Sequence, residues 1–300
     1  MTTHRFIPTA WHNVLGTLPP ALTIESGDIV VTETIDANGW DKSDAKVASG
    51  PNPMNGPIAV AGAEPGDSLK VEILAMTPNR ATGWTRAALA ENVVNPAFVP
   101  HLPARDRVTW AIDRNAQTAT LGGVGPLGDL VMPLAPMIGC FGVAPSGGQA
   151  ISTTTSGPNG GNMDYRRFGP GTSVRFAVSA PGALFFIGDC HALQGDGEIV
   201  GTGIETSYEV TVRLSIDKRG VNWPRGETER DIFTIGNARP LEEALQYATT
   251  EMAVWLHEEY GLDISAASHL LGQAVRYDIG NVYDPAFTVA CRLSKQWLPK

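Results

Sequence analysis

Cysteine is scarce in this chain of 300 residues, and its placement excludes two common structural devices. The three cysteines, Cys140, Cys190 and Cys291, lie far apart and are odd in number. They contain no Cys-x-x-Cys zinc knuckle, and a framework of disulfides is not expected from them. Residues 1–6 lack the apolar core of a signal peptide, and no apolar run approaches the length of a membrane span. We therefore expect a cytoplasmic protein with no membrane partner.

Basic residues are also in short supply. The chain has 22 lysines and arginines against 31 aspartates and glutamates, which gives a formal net charge of -9. The basic residues form no cluster longer than a few positions. Nucleic acids and anionic membranes, which attract basic surfaces, are therefore not expected as partners.

Glycine and proline, in contrast, are plentiful. The 33 glycines and 22 prolines are scattered between short runs in which apolar and polar residues alternate. That pattern predicts a mainly β protein with a sandwich-like or barrel-like body and many turns. The predicted strands are residues 29–35, 69–74, 183–187 and 208–216, with weaker candidates at 108–112 and 172–178.

The pattern changes after about residue 226. Apolar residues recur at helical spacing over residues 241–260, between Pro240 and Gly261, and predict an amphipathic helix. Ser265 is a candidate cap for a second helix that ends near residue 275, and a strand is predicted over 286–293. We therefore divide the chain into a β-rich catalytic body, 1–225, and an α+β subdomain, 226–300, packed on it as one functional unit.

The segment 188–198 is the strongest candidate for chemistry. It carries Asp189, His191, Asp196 and Glu198 directly after the predicted strand 183–187. Asp189 and His191 are two positions apart, so an extended backbone directs both side chains to the same face and Cys190 to the other. Metal ligation or catalysis is favoured over a structural turn, because the segment lacks the regular oxygen ligands of a calcium loop.

Two further polar groups are candidates on the residues alone. Asn162 and Asp164 follow a glycine pair and either line a ligand site or form an Asx turn. His12 lies near the N-terminus, and Asp36 follows the first clear strand. A thiol nucleophile at Cys190 would need an exposed position and a partner base, and neither is visible in the sequence.

Taken together, these residues resemble the acetamidase/formamidase family of amide hydrolases. The resemblance covers nearly the whole chain and is most specific in the run Gly-Asp-x-His-Ala-x-Gln-Gly-Asp-Gly-Glu at 188–198. The other matching segments are 55–67, 139–145, 160–164 and 181–187, followed by Gly201, Thr202, Glu205 and the turn 260–262.

The resemblance implies hydrolysis of a small linear or cyclic carboxamide to a carboxylate and ammonia, without a Ser-His-Asp triad. It also implies assembly into a homodimer or larger homo-oligomer. A divalent metal ion is implied as well; zinc is the first choice, and calcium and manganese are alternatives because the candidate ligands are rich in carboxylates. A bound metal would activate a water molecule, and a carboxylate would move its proton. The roles implied are metal ligation by His12, Asp36, Asp189 and His191, catalysis by Glu198, His191 and Asp189, and substrate binding by Asn162, Asp164 and Glu64.

The chain departs from the family pattern at two places. Asn52-Pro53 stands where the family tends to carry a His-Pro pair, and residues 80–106 match no family pattern and are expected to shape specificity. Two other interpretations stay open. One is a β-sandwich binding module in which the acidic loop holds a structural ion. The other is an amidase that uses Cys190 or a Ser/Thr nucleophile without a metal.

Overall fold

The computed structural model describes residues 1–299, which form 22 strands, two α-helices and five short 3-10 turns. The strands are, in chain order, β1 (Thr3–Phe6), β2 (Val14–Gly16), β3 (Leu22–Ile24), β4 (Asp28–Thr34), β5 (Asn55–Val60), β6 (Ser68–Pro78), β7 (Thr82–Arg86), β8 (Arg107–Asp113), β9 (Thr118–Leu121), β10 (Leu130–Pro133), β11 (Met137–Val143), β12 (Ala150–Ser152), β13 (Ser156–Gly157), β14 (Gly160–Asn162), β15 (Ser173–Ala177), β16 (Phe185–His191), β17 (Glu205–Thr206), β18 (Tyr208–Asp217), β19 (Arg225–Glu227), β20 (Asp231–Ala238), β21 (Arg276–Ile279) and β22 (Phe287–Ser294). The helices are α1 (Leu241–Tyr260) and α2 (Ile264–Ala274), and the 3-10 turns are Glu91–Val93, Pro96–His101, Gly125–Leu127, Ser146–Gly148 and Lys295–Trp297.

Most strands belong to two large sheets. The first has nine strands in the order β1-β4-β18-β6-β15-β19-β20-β22-β21. The second has eleven, nine of them in the order β10-β9-β8-β7-β17-β16-β11-β14-β13, with β5 paired to β16 and β3 paired to β5. Strands β2 and β12 form a separate ribbon. Within the part of the chain that is described, neither sheet closes on itself, so the predicted mainly β body is confirmed as two open sheets rather than a barrel.

The main core lies between these sheets. The inward residues of β4, β6 and β18 in the first sheet pack against those of β5, β11 and β16 in the second. The alternation predicted for 208–216 is confirmed, because Tyr208, Val210, Val212 and Leu214 are fully buried while the residues between them are partly exposed. Burying this apolar area is the main favourable term in folding, at about 25 cal/mol per Å2.

The two C-terminal helices cover the outer face of the first sheet. α1 begins after Pro240 and ends at Gly261, whose left-handed φ of 66° stops the helix as the sequence predicts. Its buried face packs on β20 and β22 in a second core. The second helix is capped by Asp263, not by Ser265 as predicted, because the Asp263 carboxylate accepts a hydrogen bond from the Ala266 amide.

None of the helices within residues 1–299 is both long enough and apolar enough to cross a membrane.

Candidate metal and catalytic site

Strand β16 runs through the middle of the second sheet and ends in the site. Asp189 has a left-handed φ of 53°, which interrupts the regular alternation of the strand. As a result Ile187 and Cys190, three positions apart, both point into the main core. The side chains of Asp189 and His191 meet away from that core, with 3.4 Å between Asp189 Oδ1 and His191 Nε2. The structure thus brings together the two residues that the spacing predicted to share a face.

Three other carboxylates surround the same imidazole. Glu205, on β17, pairs with His191 across the ladder, and its Oε1 lies 3.0 Å from His191 Nε2. Asp164 Oδ1 lies 4.0 Å from the same nitrogen. Two groups have ligand atoms within 4.8 Å of one another, Asp189–His191–Glu205 and Asp164–His191–Glu198. Because one imidazole nitrogen binds one ion, both groups describe carboxylates around a single centre at His191 Nε2.

The orientation of His191 is fixed by Gln194. The Gln194 amide nitrogen donates to the carbonyl oxygens of Asp164, at 2.5 Å, and Gly280, at 3.3 Å. Its Oε1 therefore faces His191 Nδ1, 2.8 Å away, and accepts a hydrogen bond from it. With the proton held on Nδ1, the neutral imidazole presents its Nε2 lone pair to the carboxylates, which is the arrangement of a metal-binding histidine.

Several atoms of this cluster that could coordinate a metal ion are buried without a hydrogen-bond partner. They are both carboxylate oxygens of Asp164, Asp189 Oδ1, Glu205 Oε2 and His191 Nε2. Glu205 Oε1 is close to that nitrogen but outside hydrogen-bond geometry. Within residues 1–299, no lysine or arginine comes within 4.0 Å of Asp164, Asp189 or Glu205. Buried charges are normally paired or coordinated, so these residues fit a divalent cation.

The pKa values of the cluster show the cost of leaving it without a cation. Burial raises the pKa of Asp164 and of Glu198 well above the ordinary range, and repulsion between neighbouring carboxylates adds to the effect. Burial likewise raises the pKa of Glu205 to about 8. Burial alone would lower the pKa of His191, but the Glu205 and Asp189 charges outweigh it and raise that pKa well above its usual value. A bound cation would relieve the repulsion and take the place of the proton on Nε2.

Two glycines make room for the cluster. A Cβ on Gly203 would overlap the His191 ring, and a Cβ on Gly139 would overlap Asp164 Oδ1 and approach Asp189. No other residue type fits at either position without moving a ligand atom. Gly139, in one of the matching segments, and Gly203 therefore each have a steric reason at the site itself.

The cluster opens into a pocket of about 660 Å3. Its lining residues are Ala37, Asn38, Pro51, Asn52, Trp84, Arg86, Thr154, Asn162, Asp189, Glu198, Gly201, Thr202, Glu205, Arg239, Tyr283, Asp284 and Pro285. On one wall Asn52 donates to Asn162 Oδ1 at 2.9 Å, and the Asn162 amide donates to Asp284 at 2.6 Å. Burial raises the pKa of Asp284 to about 7. The asparagine that replaces the family histidine thus orients Asp284 through Asn162.

The C-terminal residues hold the glycine-rich segment that follows β16. The Gly197 amide donates to the carbonyls of Ile279 and Gly280, and the Val282 amide donates to the Gly197 carbonyl. Together with the bond from Gln194 to Gly280, these contacts latch segment 194–198 onto residues 279–282. The pocket is therefore built from both parts of the chain.

Three predicted site residues lie elsewhere. Asp36 is buried in its own network, where its oxygens accept bonds from Arg80 Nη2, Trp84 Nε1 and two backbone amides, so no lone pair is directed at the cluster. His12 pairs with Met54 through the backbone and lies edge-on to the Phe186 ring at 6.1 Å between centroids. Glu64 is exposed in a turn and is not part of the pocket.

The structure also adds residues to which sequence reasoning assigned no role. Glu205 and Gln194 lie in the matching segments, but only the strand pairing shows that both contact His191. Asp284 lies in a short polar loop between β21 and β22, and the only sequence signal for it was the cluster of polar residues there. Asp164, predicted to bind substrate, does not line the pocket and lies in a group with His191 and Glu198 that could hold a metal ion.

Solved structures share this fold over almost their whole length. The acetamidase from Yersinia enterocolitica is 31% identical, with a TM-score of 0.86, and the match covers 99% of this chain and 93% of that one. The acetamidase from Bacillus halodurans is 30% identical, with a TM-score of 0.84 and 98% of both chains covered. The two-sheet fold is thus that of a class of proteins described as acetamidases.

The sequence comparisons agree. The sequence model of the Acetamidase/Formamidase family matches residues 5–148 and 147–277. The chain therefore belongs to the acetamidase/formamidase family, as the resemblance indicated. The acetamidase of Mycolicibacterium smegmatis is 31% identical over 241 residues, and the match covers 63% of this chain and 59% of that protein. Asp284 lies beyond the residues that the family model matches.

Proposed function

We propose that the protein is an amidohydrolase that cleaves a small linear or cyclic carboxamide to a carboxylate and ammonia or an amine. The observation that carries the proposal is the set of buried, unpartnered donor atoms around His191 at the base of an open pocket. Family members are named for this chemistry, and the site offers the residue types that it needs.

The proposed metal ligands are His191, Asp189 and Glu205, with Asp164 beside them. When bound there, a divalent ion would polarise the amide carbonyl and lower the pKa of a bound water molecule to about 7. We propose zinc because the centre is an imidazole with carboxylates, and manganese and calcium are the alternatives to test. Gln194 serves as the partner that keeps the Nε2 lone pair available.

Glu198 is the proposed general base. It is buried at the wall of the pocket next to the ligand carboxylates. Burial, with repulsion from Asp284, raises its pKa well above the ordinary range, and a cation bound beside it would oppose that rise, so that the carboxylate could accept a proton from water and return it to the leaving nitrogen. Asn162 uses both ends of its amide on Asn52 and Asp284, so its proposed role is to position Asp284.

Water is the proposed nucleophile rather than Cys190. The Cys190 side chain is fully buried in the main core, facing away from the ligands. Burial raises its pKa to about 12, so the reactive thiolate is almost absent at neutral pH. A cytoplasmic location and assembly into a homodimer or larger oligomer remain predictions, which fractionation of cells and light scattering on the purified protein would test.

The test is ammonia release from a panel of small amides and lactams, before and after exhaustive chelation, with zinc, manganese or calcium added back. We expect chelation to abolish turnover and one of the metals to restore it. His191→Ala should be inactive but folded, whereas His269→Ala, an exposed histidine on α2, should match the wild type.

Other outcomes separate the alternatives. Turnover that survives chelation, or that persists in a folded His191→Ala variant, would contradict the metal-assisted mechanism. No turnover on any amide, together with a melting temperature that depends on metal, would instead support the binding-module interpretation.

A further inference from the structure

The pocket is much larger than the smallest amides. Acetamide has four non-hydrogen atoms and occupies roughly the space of three water molecules, about 90 Å3. The pocket volume of about 660 Å3 lies in the range of sites that enclose considerably larger ligands. Most of the pocket therefore lies beyond the carboxamide that would reach His191, and its outer wall must contact the rest of the substrate.

Two arginines on that outer wall have no acidic partner. Arg86 ends β7 and Arg239 follows β20, and both line the pocket. In the described chain, neither guanidinium lies within 4.0 Å of a carboxylate; Arg86 makes a single hydrogen bond, 3.4 Å long, to the Arg105 carbonyl. In a protein of net charge -9, cations left without a counter-charge at a pocket wall indicate a negatively charged ligand.

Both guanidinium groups are supported in the same way. The Arg86 group lies over the Trp84 ring at 5.6 Å from its centroid, and the Arg239 group lies over the Phe287 ring at 4.7 Å. A cation–π contact of this kind holds the guanidinium without using its N–H groups as hydrogen-bond donors, so these groups can bind an anion. A carboxylate matches that geometry because it can accept two parallel hydrogen bonds.

We propose that the substrate is an amide whose acyl part carries a second, anionic group, a carboxylate, and that Arg86 and Arg239 bind this group at the mouth of the pocket. The inference rests on the proposed amidohydrolase function and names its substrate class. Arg86 is half-buried and Arg239 exposed, whereas the pocket residues Glu198, Glu205 and Asp284 are buried.

This distribution of charge also sets the direction of binding. The arginines attract the anionic end of the substrate toward the solvent-exposed side of the pocket, away from the buried donor atoms. The neutral carboxamide end is therefore the one that reaches His191. The wall that carries Trp84 and Arg86 comes from residues 80–106, which were expected to shape specificity; the prediction that this stretch matches no family pattern is wrong, because the family model matches residues 5–148.

The experiment compares isosteric pairs that differ only in charge. Kcat/KM is measured on the metal-loaded protein for malonamate against malonamide, succinamate against succinamide, and glutaramate against glutaramide. We expect the anionic member to be preferred by at least about tenfold in one pair, because a hydrogen bond to a charged group contributes about 1.5–3 kcal/mol. Arg86→Gln and Arg239→Gln should each reduce that preference about tenfold or more.

A matched control and a second readout complete the test. Arg114→Gln removes the same charge at an exposed turn away from the pocket and should leave the preference unchanged. Binding of the dicarboxylate product from the preferred pair is measured by calorimetry in each variant. The inference would be overturned if no pair shows a preference for the anionic member, or if both arginine variants and the double variant retain that preference. Amide turnover would still uphold the proposed function in either case. If no amide is hydrolysed, the proposed function fails, and the calorimetry decides the inference by itself. Dicarboxylate binding that weakens in the arginine variants would support the anion site, and absence of dicarboxylate binding would overturn it.

Discussion

Replacing Gln194 by leucine tests whether this side chain fixes the tautomer of His191. The substitution removes the acceptor for the Nδ1 proton and the donors to the carbonyls of Asp164 and Gly280. With its Nδ1 partner gone, the imidazole can rotate or carry its proton on Nε2, where the metal should bind. Loss of such a partner lowers metal affinity by about 10- to 100-fold, which equals about 1.4–2.8 kcal/mol.

The assay is a titration of metal-free protein with zinc, in competition with a chelator of known affinity. Gln194→Glu keeps an acceptor for the Nδ1 proton, so its zinc affinity should stay closer to the wild type than that of Gln194→Leu. Both variants lose the two bonds to backbone carbonyls, and each buried group left unpaired costs about 1–3 kcal/mol of stability. Gln246→Leu, an exposed position on α1, controls for the change in residue type. Wild-type zinc affinity in a folded Gln194→Leu protein would refute the argument.

Three further predictions follow from the structure. Gly203→Ala should lower activity at least about tenfold, because the new methyl group would displace the His191 ring and such overpacking costs about 1–3 kcal/mol. Gly272→Ala, whose methyl group would face open space, should keep its activity. Equal activities of the two variants would contradict this argument. Cys190→Ser should remain active, and native protein should resist iodoacetamide at Cys190 until it unfolds, as mass spectrometry would show. Desolvation raises the pKa of Asp278, but hydrogen bonds, first from Arg292, outweigh it and lower the pKa. The stability that the ionised Asp278 contributes is fully present above its unfolded pKa of about 3.9 and is lost as the pH falls through its lower folded pKa. In denaturant titrations, the unfolding free energy of Asp278→Asn should therefore decrease less than that of the wild type below about pH 4.

Much of the fold was predictable because its signals are local. Alternation located β4, β6, β8, β15, β16 and β18 to within a few residues, and helical spacing located α1 at its observed bounds. The short strands β2, β3, β12, β13 and β17 could not be predicted in this way. Each has only two or three residues, and its pairing partner, rather than its own pattern, defines it as a strand.

The site divides along the same line. Asp189 and His191 were identifiable because a two-residue spacing on a strand is a local relation. Glu205 joins them only through the register between β16 and β17, and Asp284 only through the packing of the last strands onto the segment after β16. Asp36 shows the converse. Its residue type suits a ligand, but Arg80 and Trp84, more than 40 positions away, both donate to its Oδ2, and two nearby backbone amides donate to its Oδ1.

The latch between residues 194–198 and 279–282 has a consequence for how the protein is made. The strands that carry His191, Asp189 and Glu205 can pair once about two thirds of the chain has been synthesised, but the pocket wall at 280–285 is supplied much later. Until then the acidic cluster would face solvent, where its carboxylates ionise easily and any cation they collect exchanges freely. Activity should therefore appear only after synthesis passes this loop, so a chain stalled on the ribosome before residue 280 would lack the residues that close the active site.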